Sequence, residues 1–323
     1  MADRALLQRI VEQAAAESGG TAECRFDEPM ARHTTFKAGG PADLWVRPGG
    51  EGFPAFAAAL LRAAAVPVFV LGGGANLVVS DRGIRGIVLD TGDWSGTAIC
   101  PAGGGVPPGM QCRAGTTVDA AAGAAAAAGL SGLEFLAGMP GTVGGAVWMN
   151  ARAYDRSVSG VLAETGILAA EGGPSGGAPV CRTVPFDAAA WDYKKSPFQG
   201  TAALILSARF VLERRDRGEI RREMAAHVRD RKRKGHYRFP SAGSAFKNNR
   251  DFGKPAGQII DELGLRGFAI GGAQVAPFHG NIIINTGGAR AADIRALTEE
   301  VAGRVRAATG LVLEPEILFV GEW

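Results

Sequence analysis

The placement of glycine constrains this chain more than any other feature. Four glycine-dense segments punctuate the first half: "AGGPAD" at 38–43, "LGGGAN" at 71–76, "PAGGGVPPG" at 101–109 and "GMPGTVGGA" at 138–146. Glycine and proline interrupt helices and strands alike, so regular structure must lie between these segments. Apolar runs there predict strands over 44–47, 66–71, 86–90 and 110–114. Helices are predicted over 52–65 and 118–128, the second ended by Gly129. That second helix is nearly all alanine, the best helix former, and lets neighbouring backbones come close. Further on, "HGNIIIN" reads as a buried strand, 291–308 as a helix capped by Gly310, and 317–320 as a last strand.

With 323 residues and 46% apolar content, the chain suits two domains better than one. A formal charge of +3 permits anionic small molecules but is too small for a nucleic-acid footprint, and three tyrosines offer no base-stacking platform. Cys24, Cys100, Cys112 and Cys181 lie far apart with no C-x-x-C pair, which argues against a disulfide framework or a metal site and for a reducing cytoplasm. Leu6, Leu7, Ile10, Val11 and Ala14 predict a short amphipathic helix, and Asp3, Arg4, Arg9 and Glu12 interrupt the apolar run a signal peptide needs. The most apolar window, 53–71, holds Arg62 and two prolines, so no membrane span is expected. The stretch 213–234, "ERRDRGEIRREMAAHVRDRKRK", is the best candidate for a domain junction. Its mixed signs predict a solvated helix face, with phosphate binding as the sharper alternative.

The loop "FVLGGGANLVVSD" follows a predicted strand, as a dinucleotide fingerprint would. That fingerprint needs a helix immediately afterwards, whereas Leu77, Val78 and Val79 continue as a strand. Three glycines between strands can still form a nest of N–H groups around an anion, or simply a tight connection. The second loop, in "GLEFLAGMPGTVGGAVWMN", shifts the balance toward a cradle, because dense glycine lets a backbone pack against something flat or phosphorylated.

"PSAGSAFKNN" places Ser244 in a small-residue turn with no histidine arranged as its base. Ser244 and Lys247 match S-x-x-K, but no S-D-N or K-T-G accompanies them, and Asn248, Asn249, Asp251 and Gly253 are poor helix continuation. Ala242 and Phe246 occupy the glycine positions of a G-x-S-x-G elbow. Acyl transfer is therefore disfavoured.

The order "RHTTFKAGGPADLWV", "VLGGGANLVVSD", "GLSGLEFLAGMPGTVGGAVWMNA", "YKKSPF", "PSAGSAFKNN", "GLRGFAIGGAQVAPFHGNIIIN" and "LEPEILFVG" resembles the UDP-N-acetylenolpyruvoylglucosamine reductase family over nearly the whole chain beyond residue 30. The resemblance implies an α+β fold: a bilobed FAD-binding domain of the vanillyl-alcohol-oxidase type, then a C-terminal α/β substrate-binding domain, in the shorter of the family's two architectures. With the N-terminal helix taken as 1–22, it implies a FAD domain over 23–212 split near 91, and a substrate domain over 213–323 whose residues 311–323 return toward the flavin. Non-covalent FAD would rest on Gly72, Gly73, Gly74, Ala75, Asn76 and Leu77, and on Gly138, Pro140, Gly141, Thr142, Gly144, Gly145 and Ala146. NADPH would reduce the flavin, and UDP-N-acetylglucosamine enolpyruvate would then take hydride at C3. No obligate protein partner is implied.

By the same resemblance Ser244 is the proton donor to C2, Glu316 of "LEPE" the catalytic glutamate, and Tyr193, Lys247 and Asn248 substrate contacts. On its own, Glu316 adjoins the apolar "ILFV", where burial favours a carboxyl that holds its proton; a strand-end surface glutamate is the alternative. Lys194 stands where the family has arginine, and lysine supplies a point charge in place of a two-pronged fork. Lys195, one residue on, would face the other side of a strand. Arg152 and Asp155 stand where the family tends to glycine, and Ala75 where it tends to serine. The three last departures bear on details of the flavin pocket, whereas Lys194 leaves open a non-catalytic flavin- or nucleotide-binding relative.

Overall fold

Along the strand Pro41–Pro48 successive side chains enter two different cores, and this sets the first layer. Leu44 and Val46 pack with Leu7, Ile10, Phe53, Phe56 and Leu60 from the helices Arg4–Ser18 and Phe53–Ala63. Trp45, between them, packs with Met30, Leu71 and Val88 on the other face. The computed structural model that shows this describes residues 3–103, 105, 107–170 and 177–323. The expected glycine segment at 101–109 includes residues 104 and 106, which lie outside the described residues.

The first sheet runs in the order Ala22–Pro29, Pro41–Pro48, Ile84–Asp90, Val68–Leu71. The expected helix over 52–65 stops at Ala63, and the expected strand over 66–71 begins at Val68. Pro67 explains both: it holds its predecessor extended and has no N–H for a ladder, though its carbonyl accepts from Ile87 at 3.0 Å.

A second sheet, antiparallel and five-stranded, orders Pro179–Pro185, Leu162–Ala170, Leu204–Val211, Gly109–Arg113 and Thr97–Cys100. The alanine helix Val118–Ala127 covers it, with Ala121 and Ala125 buried beside Met110, Phe135 and Phe210. The small side chains allow this close approach.

The third layer joins the sheet Ala269–Ile270, Ala273–Val275, Ile283–Asn285 to the helices Ala256–Glu262 and Ala291–Thr309. It is tied back to the segment that follows the glycine loop at 71–76. Strand Leu318–Val320 pairs in parallel with Leu77–Val79, and the Asp81 carboxylate accepts the N–H groups of Ala291 and Ala292 at 2.8 and 2.9 Å, capping that helix. The charge-dense stretch forms the helix Arg217–Arg233, whose buried residues are Ile220 and Arg231. Among the described residues, no helix is long and apolar enough to cross a membrane.

Candidate active site

The two glycine loops meet along one wall of a cavity of about 1530 Å³. Their glycines serve two different purposes. A Cβ on Gly73 would lie 2.7 Å from the Gly141 Cα, so at that point the loops need bare backbone to pack on each other. A Cβ on Gly145, by contrast, would meet no protein atom closer than the Thr142 hydroxyl at 3.6 Å. Space is kept there for something other than protein.

FAD fits that space. Every residue expected to hold it lines the cavity: 72–77, Gly138, 140–142 and 144–146. Among the described residues no protein acceptor receives the N–H of Gly73, Gly74, Ala75 or Asn76. Consecutive free N–H groups in a turn converge on an anion such as a pyrophosphate. The Asn76 side chain faces elsewhere, donating to the Glu316 carbonyl at 3.0 Å.

That last bond leads to the other end of the cavity. The turn carrying Ser244 is clamped on two sides. Ser244 bridges Ile282, and Phe246 bridges Pro315. Lys247 N–H donates to Glu314 O at 2.9 Å and Glu316 N–H to Ala245 O at 2.8 Å, so Pro315 occupies a ladder position where no donor is required. Asn281 closes the turn, accepting the Phe246 N–H at 2.9 Å and donating to its carbonyl at 2.8 Å. Ser244 and Glu316 thereby share one rigid wall, and both line the cavity. Among the described residues no protein group hydrogen-bonds the Ser244 hydroxyl.

Lys194 reaches the same place. Its ammonium lies 2.5 Å from the Glu316 carboxylate, each side chain being 11% exposed. The lysine sits in a turn at φ +58°, with Asp192 bridged to Lys195, so the expected alternation of a strand does not apply there. Gln199 pins the turn by donating to the Lys194 carbonyl at 3.0 Å.

The remaining expected contacts divide. Asn248 lines the cavity, while its Oδ1 accepts the Ala256 N–H at 3.0 Å and caps a helix. Tyr193 and Lys247 do not line it. Tyr193 stands behind Asn248, its hydroxyl accepting that residue's N–H at 3.3 Å, and burial pushes the phenol up from its ordinary value. Lys247 ion-pairs with Glu314.

Several lining residues carried little signal in the sequence. Arg231, 9% exposed, lies over the Tyr154 ring at 5.5 Å, and its Nε has no partner among the described residues. It shares a helix face with Ile220, Met224 and Val228, a weak apolar stripe that the surrounding charges mask. Asp230, held down to about 2 chiefly by its hydrogen bond from Lys234, bonds the Tyr154 hydroxyl at 3.1 Å. Tyr237 donates to the Gly138 carbonyl at 2.7 Å and fixes the second glycine loop. His236 is pushed down to about 4, first by burial and then by Arg231.

A paired glycine cradle with free N–H groups, beside a wall bearing a hydroxyl and a carboxylate, suits a flavin-dependent oxidoreductase. Residues 43–171 match the FAD binding domain model, and residues 235–320 match the model for the C-terminal domain of UDP-N-acetylenolpyruvoylglucosamine reductase. Reductases of that name from Treponema denticola and Treponema pallidum are 40% and 37% identical, covering 94% and 92% of this chain and 95% and 94% of their own. The crystal structure of the Thermus caldophilus reductase superposes with a TM-score of 0.71 at 32% identity, covering 93% of this chain and 99% of that one. The chain belongs to the UDP-N-acetylenolpyruvoylglucosamine reductase family, with FAD as cofactor and the α+β fold of that family.

Proposed function

We propose that this protein reduces UDP-N-acetylglucosamine enolpyruvate to UDP-N-acetylmuramate at the expense of NADPH, without an obligate protein partner and in the cytoplasm. One observation carries the reading: Ser244 and Glu316 are fixed on a single wall by the Phe246–Pro315 bridge, within the cavity that the glycine loops also line. Bound FAD supplies the hydride that C3 of the enolpyruvyl group accepts. Negative charge then develops at C2, and the Ser244 hydroxyl, with no hydrogen-bond partner among the described residues, is free to give its proton there. A hydroxyl is a weak acid, but a carbanion is basic enough to take its proton.

Lys194 and Glu316 act as a pair. The ammonium offsets the carboxylate, so a substrate carboxylate entering beside them meets no net negative charge. Lys194 can then share its charge with that group. Asn248 borders the same space. We read 1–22, 23–212 and 213–323 as the structural units, with 311–323 returning to the cofactor loop through the pairing of Leu318 with Leu77.

The test is a two-stage titration without oxygen. NADPH should bleach the yellow protein, and the enolpyruvyl substrate should restore its colour. Bleaching that the substrate does not reverse would identify a flavin binder without this chemistry.

A further inference from the structure

Resting on that functional reading, we propose that Arg152 is the anchor for the diphosphate of the nucleotide-sugar substrate. Arg152 lines the cavity, and its guanidinium carbon lies 5.9 Å from the centre of the Tyr193 ring. The Tyr193 hydroxyl in turn accepts the Asn248 N–H at 3.3 Å. Three segments distant in sequence therefore meet here, with Tyr193 behind the two residues, Arg152 and Asn248, that line the cavity. The Glu316 carboxylate, Arg152 and Lys247 all act on the Tyr193 phenol, so charges of both signs reach this spot and Arg152 is the cation there that lines the cavity.

Arg152 is held ready for an anion. Among the described residues its one ion pair is with Asp155, 3.1 Å away, whose side chain is 99% exposed. Water and salt screen such a pair, and a doubly charged ligand displaces it readily. The aromatic face orients the guanidinium plane and leaves N–H edges for a two-pronged contact with phosphate oxygens.

Exposure sets which anion it meets. Lys194, 11% exposed, is committed to Glu316 at the inner end, whereas Arg152 is 32% exposed and stands further out. The enolpyruvyl carboxylate travels with the reacting carbons and belongs inside. The diphosphate belongs outside. Arg152 thus sets affinity for the nucleotide part and takes no share in the proton or hydride steps.

The pyrophosphates of NADPH and FAD have the same chemistry, so the experiment separates them. Arg152→Ala and Arg152→Lys holoenzymes are compared with wild type for inhibition by UDP, KM of the enolpyruvyl substrate, KM of NADPH and flavin content. Arg152→Ala should raise the UDP inhibition constant and the substrate KM about tenfold each, with kcat changed by less than about twofold. Arg152→Lys should fall between. Unchanged UDP inhibition overturns the assignment. So does a rise confined to the NADPH KM, or a loss of FAD, since either would give the guanidinium to another pyrophosphate. Wild-type protein that neither binds UDP nor turns over the enolpyruvyl substrate would overturn the functional reading itself.

Discussion

Lys194 and Glu316 form an ion pair of 2.5 Å with both side chains 11% exposed. A nearly buried charge that loses its partner is left uncompensated, which costs about 3 kcal/mol. Lys194→Met and Glu316→Gln should each lower stability to urea, and the double variant should lose about 1–3 kcal/mol less than the sum of the two. Simple additivity would mean that the pair is not coupled in the folded protein. For turnover, Lys194→Ala should slow reoxidation of reduced flavin by substrate, and Lys194→Arg should keep or improve it. Normal reoxidation in the alanine variant would show that another group holds the substrate carboxylate.

The two kinds of glycine in the cradle predict two kinds of defect. In Gly73→Ala the new methyl meets backbone at Gly141, 2.7 Å away, and backbone cannot swing aside. The apoprotein should lose stability. In Gly145→Ala the methyl meets only ordinary contact with the Thr142 hydroxyl at 3.6 Å and sits in the helix Val143–Trp148, where alanine is favourable. Apoprotein stability should hold, while FAD binding weakens at least about tenfold. Fluorescence titration with FAD and thermal melts of the apoproteins read the two effects separately. Wild-type affinity in Gly145→Ala would place the flavin elsewhere.

His236 gives the fold an acid sensitivity. Burial foremost, then Arg231, His279 and Lys234, push it down to about 4 from an ordinary 6.5, with Asp230 pulling the other way. Between those values the unfolded chain binds a proton that the native imidazole refuses. Stability from this group is therefore full above 6.5 and is lost as pH falls through about 4. His279 shifts the same way, again mainly through burial. His236→Gln should show a smaller drop in urea midpoint than wild type between about pH 7 and about pH 5. An equal drop would mean that His236 protonates freely in the native state.

What the sequence disclosed followed the range of the interactions involved. The helix Arg4–Ser18 was legible from the spacing of Leu7, Ile10 and Ala14, which repeats within a few residues and needs no partner to be read. The glycine loops were legible as loops, but not the packing of Gly73 on Gly141, which depends on a contact between distant segments. The convergence of Ser244 with Glu316 rests on backbone bonds from Ala245 and Lys247 to residues 314–316, and backbone bonds carry no side-chain signature. Arg231 was hidden for another reason. It falls on the helix face that Ile220, Met224 and Val228 mark by their spacing, but the dense charges around it point to a solvated face, and an arginine in such a run reads as exposed. Lys194 was read as part of an extended run, yet nothing in "DYKKSPF" signals a left-handed lysine, since that conformation is imposed by the surrounding turn.

Removing one hydroxyl separates the two half-reactions. Ser244→Ala, mixed rapidly with NADPH, should bleach its flavin within about twofold of the wild-type rate, because hydride transfer to the cofactor needs no proton from Ser244. Mixed next with the enolpyruvyl substrate, the reduced variant should reoxidise at least about a hundredfold more slowly, the scale of a lost general acid. Reoxidation at the wild-type rate would contradict the assignment of the proton to Ser244.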